Sequence, residues 1–349
     1  PIELRRRNML DVGDSTITGH RLTESVGARP TLEAVAAALK SRPLPVPRHG
    51  WKIGVGVASS YKNVGLGTGI HDGAGAALEL TEDGCLVLHV GCTEMGQGAT
   101  TAMAQLAAQA TGWPLGRICV LAGDTQRDPA GGMTTASRQT FITGNAVVRA
   151  GEKLRRALWG CVAREFGVPE EDLRLEGETF YDRRSGAAIV TLRELAGRLR
   201  GRGERLRVED YYVAPETHLA LDVPPEGHPP GEDCLHFAYC FGTQAVVIEA
   251  NEATGQVNVL RVIAAHDVGR AVNPLNIEGQ IEGGVVMGIG YGLSEEFVMR
   301  DGRVVTDTLR KLCLPRIEQT PEIETIIIED PHPEGPFGAK GMGELPASI

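Results

Sequence analysis

The residues best suited to chemistry gather in three short segments of glycine, hydroxyl and carboxylate side chains. Gly91-Cys-Thr-Glu-Met-Gly-Gln-Gly98 joins an expected strand to an expected helix and sets Gln97, an amide that both donates and accepts, between two glycines. The residues alone leave a capping loop and a ligand loop both open there. Gly131-Gly-Met-Thr-Thr-Ala-Ser-Arg-Gln-Thr-Phe141, with Thr143-Gly-Asn145 behind it, collects many donors in one stretch. That suits a phosphate or a polar heterocycle, and equally an ordinary Ser/Thr turn before a helix. Gly335-Pro-Phe-Gly-Ala-Lys-Gly-Met-Gly-Glu-Leu-Pro346 places the Glu344 carboxylate in flexible, uncharged backbone with only Lys340 nearby in sequence. Such a glutamate is poorly placed as a solvated helix charge. It reads as a general base or as a structural carboxylate accepting hydrogen bonds in a turn.

The elements that must position these segments follow from periodicity and turn chemistry. Residues 1–50 read as an N-terminal arm and linker, with a charged start, a helix over 31–41 and the run Pro43-Leu-Pro-Val-Pro. From Trp51 the pattern alternates as a strand, and strands over 76–80 and 85–90 flank an Asp-Gly turn. A helix over 99–110 puts Met103, Leu106, Ala107 and Ala110 on one face and stops at Gly112 and Pro114. Further helices are expected over 146–166 and from Thr191, where Thr191-Leu-Arg-Glu194 is a capping-box signature. The Pro- and Gly-rich stretch 215–233 reads as a long loop between lobes. Beyond it strand, turn, strand and helix recur over 244–250, 251–255, 256–264 and 275–291. The chain thus uses one unit twice. Each copy delivers a Gly-rich loop to a helix N-terminus, where free backbone N–H groups favour an anion. The expectation is an α+β fold of two similar lobes of β-hairpin-plus-helix units, with lobes over 51–235 and 236–349 behind the 1–50 arm.

Composition excludes several classes. The 349 residues exceed the usual single-domain size, which supports two lobes. A formal net charge of −10, with no basic run interleaved with aromatics, argues against a nucleic-acid partner. No stretch approaches the roughly 18 apolar residues of a membrane span, so no membrane insertion is expected. The 45 glycines are well above the average usage of about 7% and lack a G-X-Y period, pointing to backbone that turns tightly or approaches a ligand. The seven cysteines (85, 92, 119, 161, 234, 240, 313) include no C-x-x-C pair, fitting neither a zinc site nor an iron–sulfur cluster. They read as small buried hydrophobes of a reducing cytoplasm. Because the chain begins with Pro1, targeting cannot be judged from this end.

Taken together and in order, these segments resemble the molybdenum-binding region of the xanthine dehydrogenase and aldehyde oxidase family. The resemblance runs from Glu3-Leu-Arg-Arg-Arg-Asn to Gly-Met-Gly-Glu344-Leu-Pro, through Ala265-His-Asp-Val-Gly-Arg-Ala-Val-Asn-Pro274 and Glu278-Gly-Gln-Ile-Glu-Gly-Gly284. It implies a molybdopterin, a Mo-pyranopterin in mononucleotide or cytosine dinucleotide form, held between the lobes, with no side chain ligating the metal. It implies that Met95, Gly96 and Gln97 line the cofactor, that Ala136, Ser137, Arg138, Gln139 and Thr140 hold its pterin and phosphate regions, and that Gln280 reaches the pterin. Arg138 and Gln139 stand where relatives often carry smaller residues, so their backbone N–H groups are the safer assignment. Glu344 matches the family's catalytic base.

The implied function is oxidative hydroxylation of a small N-heteroaromatic substrate of the xanthine or purine type, with water as oxygen source. Electrons would pass to 2Fe-2S and FAD groups on an iron–sulfur subunit and an FAD subunit. Nicotinate or aldehyde oxidation within the family, and a non-catalytic scaffold subunit, are the alternatives. The earlier motifs of the molybdenum region are absent, and relatives continue past the glutamate into a final helix. The first half of that region is therefore expected on another chain or segment.

Overall fold

The computed structural model describes residues 1–218 and 235–348. Most of the expected 215–233 loop, and Cys234, lie outside the described residues. Helices α1 (Ile2–Asn8) and α2 (Ala28–Ser41) precede strands β1 (Trp51–Val64), β2 (Gly73–Leu80) and β3 (Leu86–Val90). Helix α3 (Ala99–Thr111), strand β4 (Ile118–Ala122) and helix α4 (Gln139–Phe166) come next. Strands β5 (Leu173–Glu176), β6 (Thr179–Asp182) and β7 (Ala188–Thr191) lead to α5 (Leu192–Gly201) and β8 (Arg207–Val213). The chain continues with β9 (Ala238–Asn251), β10 (Val257–Asp267) and α6 (Pro274–Leu293). A small β11 (Met299–Arg300) and β12 (Arg303–Val304) hairpin, α7 (Leu309–Leu312) and β13 (Glu322–Ile328) follow.

These elements form two compact units, Pro1–Val64 with Thr217–Ile349, and Gly65–Glu216. The division differs from the expected 1–50, 51–235 and 236–349 segments because of one long-range pairing. Strand β1 runs antiparallel to β9 from Trp51↔Asn251 to Val64↔Ala238, which ties the leading strand of the expected first lobe to the later part of the chain. The expected arm also contributes to a core: on α2, Leu32 and Val35 are fully buried.

In the first unit the sheet order is β1-β9-β10-β13. The run Val262–Ala265 is apolar without alternation because both faces of β10 are covered. Ile263 and Ala265 pack with Val35 and Ala38 of α2, while Val262 and Ala264 pack with Ile281 and Val285 of α6. Each fully buried Leu, Val or Ile in such a layer contributes about 1.5–3 kcal/mol. In the second unit the order is β4-β3-β2-β8. Small side chains let its helices approach one another: a Cβ on Gly151 of α4 would lie 2.6 Å from that of Ala110 on α3.

The repetition expected from sequence is present in the topology. Each four-stranded sheet has an antiparallel hairpin at its centre, a parallel strand beyond one hairpin strand and an antiparallel strand beyond the other. In each, the helix follows the second hairpin strand. The order of attachment differs, since the outer antiparallel strand precedes the hairpin in the first unit and follows it in the second. Thr191 and Glu194 form the expected capping box on α5, and Gly112, at φ 75°, ends α3. Helix α4 starts at Gln139 rather than 146, because the carbonyl of Arg138 already accepts from the Ile142 N–H.

Candidate functional site

The second unit brings Met95–Gln97 and Ala136–Thr140 together on two adjoining loops. Gly91 and Gly131 touch backbone to backbone, so that a Cβ on Gly91 would lie 2.4 Å from the Gly131 nitrogen. The Thr134 hydroxyl joins the loops, accepting from the Thr93 N–H at 3.0 Å and from the Gln139 amide at 3.0 Å.

Most side chains there are spent on the loops themselves. Gln97, half-buried, accepts from the Met95 N–H at 2.7 Å and donates to the Thr93 carbonyl at 2.8 Å. Gln139 donates to the Met133 carbonyl and accepts from Thr143. Arg138 is 1% exposed: its Nε meets the Asp72 carboxylate at 2.7 Å, and its terminal nitrogens donate to the carbonyls of Gly131, Met133 and Gly73. Its own N–H donates to Thr135. Neither the side chain nor the backbone N–H of Arg138 is turned outward.

The helix N-termini correct the expectation of free N–H groups for an anion. Glu94 fills that role at α3, accepting from the N–H groups of Gly96, Gly98 and Thr100 and from the Thr100 hydroxyl. Burial alone would raise the Glu94 carboxyl, but these bonds outweigh it and hold it below its ordinary value. At α6 the Asn273 side chain accepts from the Asn276 N–H.

Beside the loops there is open space. A Cβ on Gly96, at φ +102°, would meet nothing within 4 Å, and Met95 is 66% exposed. Ala136 and Ser137 both have φ 50°, a left-handed conformation that non-glycine residues adopt at a cost and that concentrates at functional sites. Bare glycine backbone beside a strained, donor-rich turn fits an organic group laid against the loop. In the first unit the half-buried side-chain amide of Gln280, on α6, has no hydrogen-bond partner among the described residues, a further fit to a polar heterocycle. Among the described residues no group of three or more His, Cys, Asp or Glu side chains is placed to hold a metal ion.

Glu344 sits on a loop fixed from several sides within the first unit. Lys340 and Asp267 form an ion pair at 2.5 Å with both side chains 0% exposed, and the Lys340 ammonium also donates to the Ser25 carbonyl. The N–H of Lys340 donates to Val268, that of Arg270 donates to Gly338, and Gly269 bridges Ala339. Gly269 admits no side chain, since a Cβ would lie 2.3 Å from the Gly338 oxygen. Beyond the glutamate, Gln244 donates to the Pro346 carbonyl at 2.8 Å, and Pro346 rests on Gly284 of α6. Beside Gln244, burial pushes the His266 imidazole down to about 4. At the end of this scaffold the Glu344 carboxylate is 46% exposed and meets the Lys62 ammonium, from β1, at 2.7 Å.

Sequence reasoning missed Lys62, Asp267, Gln244, Asp72 and the capping role of Glu94. Lys340 and Asp267 lie within the motifs that carry the family resemblance, and the Glu94 capture is local in sequence. No local signal marks Lys62 or Gln244, each one residue of a strand.

A family model described as "Molybdopterin cofactor-binding domain" matches residues 31–321. Over 345 residues the chain is 31% identical to a probable xanthine dehydrogenase subunit of Bacillus subtilis (strain 168), covering 99% of this chain and 44% of that one. It is also 31% identical over 288 residues to the "Carbon monoxide dehydrogenase large chain" of Hydrogenophaga pseudoflava, covering 80% of this chain and 33% of that one. The solved aldehyde oxidoreductase from Desulfovibrio gigas superposes with a TM-score of 0.78 at 26% identity, covering 100% of this chain and 35% of that one. Quinoline 2-oxidoreductase from Pseudomonas putida 86 shares the fold, with a TM-score of 0.80 at 23% identity over 99% of this chain and 44% of that one.

The fold and the ordered loops define a molybdopterin-binding chain, and the chain belongs to the xanthine dehydrogenase family as a molybdopterin-binding subunit or segment. It spans less than half the length of these relatives. No helix among the described residues is long and apolar enough to cross a membrane.

Proposed function

We propose that the chain is part of a molybdenum hydroxylase that oxidises an N-heteroaromatic substrate of the xanthine or purine type, with Glu344 as general base. The observation that carries the reading is the Glu344 loop: buried bonds fix the backbone on both sides of a carboxylate that itself stays half exposed. The purine preference rests on the likeness to the Bacillus subtilis protein, which covers almost all of this chain.

In this reading the backbone around Gly96 and at Ala136–Ser137, with Thr140 beside it, carries the pterin and phosphate parts of the cofactor. Gln280 offers its amide to the pterin. The molybdenum cofactor, when bound, supplies a two-electron oxidant and activates oxygen drawn from water. Glu344 would serve as the acceptor for the proton released from water, and general-base catalysis of this kind contributes about 10²–10⁴-fold. The pinned loop keeps the acceptor from drifting, which matters because a 1 Å misplacement can cost about 10²-fold. Iron–sulfur and flavin groups on partner subunits would accept the electrons, and the first half of the molybdenum region would come from another chain or segment.

The test is to purify the chain with its partners, determine molybdenum by elemental analysis, and mix the enzyme anaerobically with xanthine, nicotinate and an aromatic aldehyde. Xanthine should reduce the metal fastest. Reduction by nicotinate or aldehyde alone would replace the substrate class, and a complex without molybdenum would make the chain a scaffold.

A further inference from the structure

The Glu344 carboxylate has a charged partner on β1, Lys62. Lys62 lies near the end of β1, opposite Cys240 of β9, in a register of 14 consecutive pairs that fixes its backbone. Its ammonium reaches Oε2 of Glu344 at 2.7 Å, with the two side chains 23% and 46% exposed. Its other contacts are weak, two bonds of 3.4 Å to the neighbouring Asn63. Side-chain direction alternates along a strand, so Lys62 shares a face with Cys240 and Gln244, the face on which Gln244 holds Pro346.

Other charges near this pair are spent or distant from it. Lys340 and Asp267 neutralise each other out of solvent. Burial pushes the Cys240 thiol up to about 12 and keeps it uncharged, and His266 is neutral for the same reason. His236 is lowered by burial first and by Lys62 second. On β1, Tyr61 packs toward Phe241 and Lys52 pairs with Glu252; on β9, Glu249 pairs with Arg48. On α6, the helix under Pro346, Glu278 and Glu282 are exposed.

We infer that Lys62 is a positioning residue for Glu344, holding the carboxylate in place and in its charged form so that it is ready to accept a proton. The inference rests on the reading of Glu344 as the base. Its consequence for turnover follows from charge balance. Before proton transfer the pair is neutral overall; afterwards the ammonium faces an uncharged acid, and the excess positive charge drives the proton from Glu344 to water. The same residue thereby readies the base and resets it.

The test uses Lys62→Met, which keeps the length and removes the charge, and Lys62→Arg, which keeps the charge. In the assembled enzyme at equal molybdenum content, the rate of metal reduction by substrate is followed in single turnovers across pH. An opposite charge at this range moves a carboxyl by about 1–3 pH units. Lys62→Met should therefore move the acid limb of the profile to higher pH by about one unit or more, with the rate at high pH within a few-fold of the parent. Lys62→Arg should keep the limb close to its original position.

A second readout needs no cofactor. In the full cofactor-free chain carrying ¹³C-labelled glutamate carboxyls, the Glu344 signal is identified by its loss in Glu344→Gln, and its titration midpoint should rise in Lys62→Met. A midpoint that stays in place, or a rate lowered equally at every pH, would overturn the inference. Failure of the base reading is distinguishable: Glu344→Gln would then reduce its metal at the parental rate, whatever the carbon signal does.

Discussion

The glycine loops of the second unit, proposed to carry the cofactor, and the Glu344 loop of the first are both held by hydrogen bonds, but they spend their side chains in opposite ways. At 91–98 and 131–140, Glu94, Gln97, Arg138 and Gln139 turn back on their own loops, and Gly96 adds no side chain beside them. Around Glu344, other residues hold the backbone, and the one carboxylate is presented. The difference suits the two tasks proposed for them. A large planar cofactor is recognised by shape and many weak donors, whereas proton transfer needs one group within hydrogen-bond reach of one atom.

The largest stability effects should come from the buried ion pair in each unit. Arg138→Met leaves the Asp72 carboxylate buried without its partner, at a cost of about 3–5 kcal/mol. Lys340→Met does the same to Asp267 in the first unit. Urea unfolding followed by hydrogen exchange, peptide by peptide, separates the two, with protection lost first over 131–140 in one variant and over 331–346 in the other. Equal loss over both stretches in either variant would erase the distinction between the two scaffolds.

The next effect is one of pH, confined to the first unit. Burial holds the His266 imidazole at about 4, and burial together with Lys340 holds His332 at about 4, against an ordinary value of about 6.5. Both bind protons more weakly when folded than when unfolded. The stability they contribute is present above about pH 6.5 and is lost as pH falls toward 4. Exchange protection along β10 should fall through that window, and His266→Gln should flatten the fall. Protection unchanged between pH 7 and 4.5 would mean that these imidazoles are solvated.

The smallest effect is expected at Gln97. Its two hydrogen bonds lie within one half-buried turn, so Gln97→Ala should cost about 1 kcal/mol or less in stability. The loss should be seen in molybdenum occupancy, as the Met95–Gln97 backbone loosens. Full occupancy would show that the turn keeps its shape without the amide.

What the sequence revealed of this design was local. The hairpins before α3 and α6, the stop at Gly112 and the capping box at Thr191 each depend on residues a few positions apart. The pairing of β1 with β9 joins Val64 to Ala238, and no local pattern in a half-buried strand names so distant a partner. The site divides in the same way. The Glu344 and glycine segments stand out as local motifs, their proposed roles coming from the family resemblance, but the groups that hold the Glu344 loop come from elsewhere in the chain: Asp267 lies 73 positions from Lys340, and Gln244 lies 102 from Pro346. The family resemblance places Arg138 in the ligand loop and leaves its orientation open. Its partner, Asp72, lies 66 positions away, and only the fold turns that charge inward.

The central claim is that the presented carboxylate is the base, and Glu344→Gln tests it most directly. Glutamine keeps the size and the hydrogen bonding of the side chain but is far too weak a base to accept the proton. With molybdenum content matched between variant and parent, reduction of the metal by substrate is measured in a single anaerobic turnover, so that electron transfer to partner subunits does not limit the rate. The account predicts a loss of about 10²–10⁴-fold or more, with unchanged folding and metal loading. Reduction at close to the parental rate would make Glu344 a structural carboxylate and contradict the account.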